Sequence, residues 1–395
     1  MKPVLILSGH VISLGIARGL GAASIPVHVA SYDSADFAHS SRYVCSLFRV
    51  PKPTETDAFI ARLLEIGRSL GQAYLIPGDD ASLLAISHHR AALEKSFLLA
   101  CPPAEAVERF IDKTVAYQLV GAAGVPVPQT IYVNSAKEAG DAAEQLGYPC
   151  IVKPTESHFY YDHFGVKFRH VAKRSEAETA FTEAQSVGVS TMVQEFIVGD
   201  DRMGVNYNAY AIDGETKVEF TARKVRMSPP GEGVPSLVRS AQVEEVLDLG
   251  RRALRAVGFS GYSCTEFKWD ARKNRYVFFE VNGRYNRSNL LATRCGINFP
   301  LIEYQHRVMG VIPVAQSFRK NVWWLDEFKD LSSFPLWLRL SPRNAITFWR
   351  PYLWRPVCAV FSWRDPKPFF NRLGQYAGAF WKKVTGRKSK PAAGN

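Results

Sequence analysis

Glu280, Asn282 and Arg284, spaced two apart, close a run of strand-forming residues in YVFFEVNGRYNRS, Tyr276 to Ser288. Side chains alternate across a β-strand, so while the strand lasts an acid, an amide oxygen and a guanidinium share one face. A second acid, Glu266 in TEFKWD, lies on the preceding strand-like run, and the DARKN turn between them predicts a hairpin. Across it, Glu266, Glu280 and Asn282 offer hard oxygen donors with no histidine or thiolate. That set suits Mg²⁺, with Mn²⁺ as the alternative, its shell completed by water and phosphate oxygens. Arg284 suits an anionic reactant. Taken alone, the same residues also describe an ordinary solvated hairpin.

Two lysines upstream weigh against the ordinary reading. Lys113 follows Asp112 at a helix start, and Lys153 sits in CIVKP, a strand otherwise apolar. A lysine on a buried strand costs desolvation free energy unless an anion pairs with it. Two such cations supply the countercharge that a nucleoside triphosphate demands.

The elements that must hold these residues follow from hydrophobic period. PVLILSG, the helix-like HVISLGIARGLGAAS and then IPVHVAS read as strand, helix, strand. FIARLLEIGRSLGQ and AYLIPGDD continue the pattern, so residues 1–100 are expected to form an open α/β domain with a parallel sheet. GxGxxG is absent and Asp33 is the one acid near a ribose position, which disfavours NAD binding and a Rossmann-type oxidoreductase. From residue 101 to 315 helices and paired strands alternate as in an α+β domain. Predicted there are helices over Ala136–Leu146, near Ser175–Ser186 and across Glu244–Val257.

Length and composition agree. At 395 residues, 47% hydrophobic and 22% charged, the chain is globular and long enough for two or three domains. Its six cysteines form no CxxC pair, which argues against a disulfide framework or zinc cluster. His10, Ser13 and Arg18 interrupt the first apolar run, and no stretch approaches about 18 uninterrupted apolar residues, so neither a leader nor a membrane span is expected. The expected location is the cytoplasm.

The motifs, taken in order, resemble those of the ATP-grasp superfamily over most of the chain up to about residue 310. Asp112–Lys113 and CIVKP match its two phosphate-binding lysines, and TEF and FEVNGR its metal-binding acids, asparagine and arginine. VQEFIVGDD matches its hinge: the resemblance implies that the backbone around Gln194, Glu195, Phe196 and Ile197 reads adenine and that Asp201 holds the ribose. The implied fold is a Rossmann-like (pre-ATP-grasp) domain, a two-subdomain ATP-grasp domain hinged near 194–201, and a C-terminal extension over 316–395. SRY, IPGDD, TARKVRMSPPGEG and CGINFP look like the predicted carboxylate–amine ligases, a group that includes D-aspartate ligases acting on peptidoglycan precursors.

The implied chemistry phosphorylates a carboxylate to an acylphosphate, which an amine then displaces, on a cell-envelope or polysaccharide precursor. Glu280 would bridge two metal ions, Glu266 and Asn282 would hold one each, and Arg284 would steady the acylphosphate. Arg223 and Lys224 in TARKVR would stabilise the transferring phosphoryl group, an exposed basic strand being the alternative. The superfamily's Gly-rich phosphate loop is replaced by TESHFYYDHFGVKFRHV, with one glycine, so Ser157, His158 and above all Lys167 are expected to supply its donors. A non-catalytic nucleotide-binding relative is the competing reading, disfavoured by the complete acid, acid, asparagine, arginine set.

The extension stands apart. Residues 320–395 carry 14 lysines and arginines against 4 acids, and seven of the eight tryptophans. Such residues favour peripheral contact with a membrane's inner face. The alternative is that they pack on the body and leave only the last dozen residues, with GRKSKPAAGN, disordered. No nucleic-acid module is recognised and none is expected to bind. The other partners are small carboxylates and amines, with a dimer left open.

Overall fold

The computed structural model describes residues 1–155, 160, 163–231, 233–341 and 343–385. Five short strands, β1 (Val4–Leu7), β2 (Val27–Ser31), β3 (Val44–Arg49), β4 (Ala73–Ile76) and β5 (Phe97–Leu99), form a parallel sheet in the order β3, β2, β1, β4, β5. VLIL and AYLI are buried along their whole length, as strands covered on both faces must be. The chain moves outward from β1 through β2 to β3 and returns to place β4 on the other side of β1. The switch point therefore lies beyond the carboxyl ends of β1 and β4, where open α/β sheets place ligands. Ser8 to His10 and Pro77 to Asp80 form that rim. Gly78 is required there, because a Cβ would lie 2.0 Å from the Leu7 carbonyl oxygen.

A second, four-stranded sheet runs β6 (Thr130–Val133), β9 (Thr191–Glu195), β7 (Cys150–Pro154) and β8 (Arg169–Val171), all antiparallel. Helices Ala136–Leu146 and Arg174–Ser186 bury Ala139, Ala143, Ala177 and Phe181 against it. Ser135 opens the first of them by accepting the Glu138 N–H.

The third sheet has seven strands: β14 (Arg275–Asn282), β13 (Gly261–Asp270), β10 (Gly204–Ile212), β11 (Glu215–Ser228), β12 (Val234–Ser240), β15 (Trp323–Leu325) and β16 (Val357–Cys358). The last two come from the extension, which thus completes the sheet, with Trp324 fully buried. Its four acids are buried too. Asp365 takes Arg18, Ser41 and the Arg42 amide; Asp330 takes Arg226, Ser236 and Tyr352. Asp326 pairs with Arg287, and Glu327 accepts the amides of Ala359 to Phe361. The tail therefore packs on the body in part, through Trp324 and its four acids, while Trp349, Trp354, Trp363 and Trp381 are exposed; GRKSKPAAGN, 386–395, lies outside the described residues. The six cysteines are unpaired.

Helix Phe299–Met309 joins the first and third sheets and carries Glu303, 2% exposed, with the Tyr285 hydroxyl donating to it at 2.7 Å. Burial lifts its carboxyl from 4.5 to about 7, against the opposing pull of Tyr285 and Arg307. The unfolded chain releases this proton near 4.5 and the folded chain near 7. Folding therefore retains a proton in that window, and stability falls as pH rises through it, the loss being complete above the folded value. Glu303→Gln should leave stability nearly unchanged at about pH 4 and raise it relative to the parent at about pH 8. Urea denaturation at both pH values measures this, and an equal gap at each would count against it.

Candidate active site

The β13–β14 hairpin forms the floor of a cleft of about 580 Å³ between the small sheet and the large one. Glu266 lies directly opposite Glu280, and Cys264 opposite Asn282. The register slips between the Glu266–Glu280 and Phe267–Phe278 pairs, leaving Phe279 as an extra residue in β14. That bulge lets both Phe279 and Glu280 line the cleft. The expected shared face is present: Asn282 Nδ2 donates to Glu280 Oε1 at 3.1 Å, and an Arg284 amino group to Asn282 Oδ1 at 3.3 Å. Arg284 also makes a two-pronged contact, 2.8 and 3.0 Å, with Asp80 from the rim of the first sheet.

Opposite the floor stand the cations. Lys113 opens helix Lys113–Ala122, whose Asp112 cap accepts the Thr114 amide at 2.7 Å. Lys153 projects from β7, and Lys167 precedes β8. None of the three forms an ion pair among the described residues. Burial works against the charged form of Glu280, yet Lys113 and Lys153, then Asn282 and Arg284, hold its carboxyl below the ordinary 4.5. Burial lowers Lys153 in turn, with Glu280 opposing. The two lysines thus favour the ionised acid.

Lys224 reaches across β10 to pair with Glu266. Gly204 makes this path open, since a Cβ there would meet Lys224 Cδ at 2.8 Å. Burial opposes the Lys224 charge, but Glu266 and its hydrogen bond raise it overall. Arg223 is a correction. Neighbouring residues on a strand point to opposite faces, and Arg223 turns away from the cleft to donate to the Tyr276 hydroxyl at 2.9 Å. It does not line the cleft.

The hinge follows the end of β9. Gln194 is buried and donates to Thr130, while the Glu195 carboxylate is held by Lys273 at 2.5 Å and Arg272 at 3.3 Å. Arg272 also donates to the Phe196 carbonyl at 2.8 Å, occupying one of its two lone pairs. The Ile197 N–H makes no hydrogen bond among the described residues. Asp201 lines the cleft, but both its oxygens accept backbone amides, from Met227 and Gly231, each at 3.0 Å. It closes the β11–β12 turn, with remaining lone pairs available to a hydroxyl. Ile151, Phe168, Ile197, Met227 and Phe279 supply apolar walls here.

Lys268 and Asp80 were not among the expected site residues. Lys268 lines the cleft with its ammonium 5.4 Å from the Phe196 ring centre. Its position two residues after Glu266 on one strand was the available signal. Asp80 gave none, because its approach to Arg284 joins segments 204 residues apart. Ser157 and His158 lie outside the described residues. His10 caps helix Val11–Gly21, and burial together with Arg287 lowers its pKa to about 4, so it is neutral near pH 7.

Among the described residues no three histidines, cysteines or acids gather as a metal cage. Two carboxylates and an amide oxygen nevertheless fit Mg²⁺ delivered on a phosphate chain, since this ion keeps waters and phosphate oxygens as its other ligands.

No protein-family model matches the chain. A D-aspartate ligase of Enterococcus faecium (strain Aus0004) is 24% identical over 262 residues, 62% of this chain and 61% of that protein. Biotin carboxylase 1 of Bacillus subtilis (strain 168) is 26% identical over 307 residues, 72% of this chain and 65% of that one. The chain thus spans less than two thirds of each of these relatives. In three dimensions it resembles a biotin carboxylase–β,γ-ATP complex from Campylobacter jejuni, with TM-score 0.66 and 17% identity, over 82% of this chain and 74% of that one. An L-amino acid ligase from Bacillus licheniformis gives TM-score 0.60 and 17% identity, over 78% and 74%. The biotin carboxylase domain of Hydrogenobacter thermophilus 2-oxoglutarate carboxylase, at TM-score 0.63 and 17% identity, was solved as a dimer with MgADP and bicarbonate.

Proposed function

We propose that this chain, whose fold is the ATP-grasp fold, is an ATP-dependent ligase that joins a carboxylate to an amine through an acylphosphate. The observation that carries the reading is Glu280, kept ionised between Lys113 and Lys153 on the face it shares with Glu266, Asn282 and Arg284. In this reading residues 1–100, 101–315 and 316–395 are its three parts.

The adenine enters the apolar slot and meets the Ile197 N–H. Asp201 accepts from the ribose, and Lys113, Lys153 and Lys167 bind the phosphates. Mg²⁺, held by Glu280, Glu266 and Asn282, would screen the phosphate charge and polarise the γ-phosphoryl group. A carboxylate oxygen of the substrate, oriented by Arg284, attacks that phosphorus, and the bond to the ADP oxygen breaks. Lys224 and Lys268 neutralise charge on the transferring group in place of Arg223. The amine nitrogen then attacks the acyl carbon, phosphate departs, and the nitrogen loses a proton as the amide forms.

The likeness to a D-aspartate ligase supports an amino acid as the carboxylate; the amine in this proposal is a cell-envelope or polysaccharide precursor. ATP dependence suits a cytoplasmic location. Release of ADP from MgATP, screened over amino acids with and without envelope-precursor amines, tests the reading. Release requiring both substrates is expected; none from any pair would sink it.

A further inference from the structure

The 710 Å³ cavity lies far from this chemistry, between the extension and helices Val11–Gly21 and Asn289–Cys295. Arg294, Arg355 and Arg364 line it beside Trp363, and no acidic residue does. These three guanidinium groups make no ion pair or hydrogen bond among the described residues. Arg18, also at its edge, is consumed by Asp365 and the carbonyls of Ala359 and Val360.

The surface around the cavity is unusual in two further ways. Of the 21 exposed large apolar side chains in the described residues, 13 fall within residues 331–381; Ile346, Leu353 and Trp363 are 80%, 81% and 89% exposed. The four acids of the extension are all buried, so each exposed charge from Lys320 to Trp381 is a cation. Some of these exposed side chains are linked through half-buried aromatic rings. Trp349 touches Tyr352, which shares the cavity with Phe361 and Trp363, and Phe361 leads through Phe369 to Phe370. In helix Lys367–Thr385, Phe370, Leu373, Ala377 and Trp381 recur at helical spacing and are exposed, while Phe369 and Tyr376 pack on Phe328.

We infer that this outer face docks on an anionic lipid bilayer, with Leu353, Trp363 and Phe370 entering the interface and Arg294, Arg355 and Arg364 receiving a headgroup phosphate. Clusters of exposed apolar side chains on a monomer mark interaction sites more often than chance. Aromatic rings and cations without acids match the headgroup layer of an anionic membrane. A second copy is the poorer occupant, because a two-fold contact would set these same arginines against one another. Nucleic acid would leave Ile346 and Leu353 without a role. No helix among the described residues is long and apolar enough to cross a membrane, so the chain lies on the bilayer rather than through it.

The test is co-sedimentation of the full chain with phosphatidylcholine vesicles, with and without phosphatidylglycerol. Binding is expected only with the anionic lipid, and added salt should weaken it. Arg355→Glu and Arg364→Glu should each reduce partitioning at least about five-fold. Leu353→Ser and Trp363→Ser, at sites so exposed that folding does not depend on them, should do likewise, with circular dichroism unchanged. No pelleting with anionic vesicles, equal pelleting of all four variants, or a lipid-independent dimer by light scattering would each overturn the inference. ADP release is read separately, so failure here leaves the ligase reading intact.

Discussion

Glu280→Gln is expected to abolish ATP-dependent amide formation while leaving the chain folded. The substitution keeps shape and hydrogen-bonding capacity but removes the charge that Lys113 and Lys153 hold ionised. It also deletes the central oxygen donor of the proposed Mg²⁺ set. Losing one preorganised electrostatic group of this kind costs about 10²- to 10³-fold in turnover. ATP binding should persist, because the lysines lose a competing anion. Calorimetric ATP titration and ADP-release rates separate the two effects. Turnover within a few-fold of the parent would remove Glu280 from the chemistry.

The second large effect concerns stability. Asp330 is fully buried and bonded to Arg226 at 2.7 Å, Ser236 at 2.8 Å and Tyr352 at 2.9 Å. Burial pushes its carboxyl up and the Arg226 guanidinium down, and each partner only partly offsets the other. Such a pair adds little over a well-packed apolar pair, yet breaking it strands a charge. Asp330→Ala should therefore cost about 3–5 kcal/mol, and Arg226→Met with Asp330→Leu should recover most of that. Chemical denaturation of the three chains decides it. A loss under about 1 kcal/mol for Asp330→Ala would mean that water or a rotamer change rescues Arg226.

The hairpin was legible because alternation is a property of the strand itself: Glu280, Asn282 and Glu266 needed only strands and a turn. Alternation also weighs against pairing Arg223 with Lys224, since adjacent residues of a regular strand point to opposite faces unless a bulge intervenes, as at Phe279 and Glu280. The Phe279 bulge was not legible, because the extra residue exists only relative to a partner strand. Nor was the role of the extension. WWL and VC are too short to carry a period, and Asp326, Asp330 and Asp365 gave no sign that Arg287, Arg226 and Arg18 awaited them.

Those two short strands also decide how the large sheet ends. At one flank the Phe278 amide is taken by the Pro126 carbonyl and the Tyr276 amide by Glu245, so β14 offers little to a newcomer. At the other, β15 covers β12, and β16, two residues long, is too brief to template a further strand. A chain stopped before Trp323 would expose Val234–Ser240 as an open ladder of amides and carbonyls. The extension therefore works as an edge guard, and its loss would turn a closed sheet into a seed for intermolecular strand pairing.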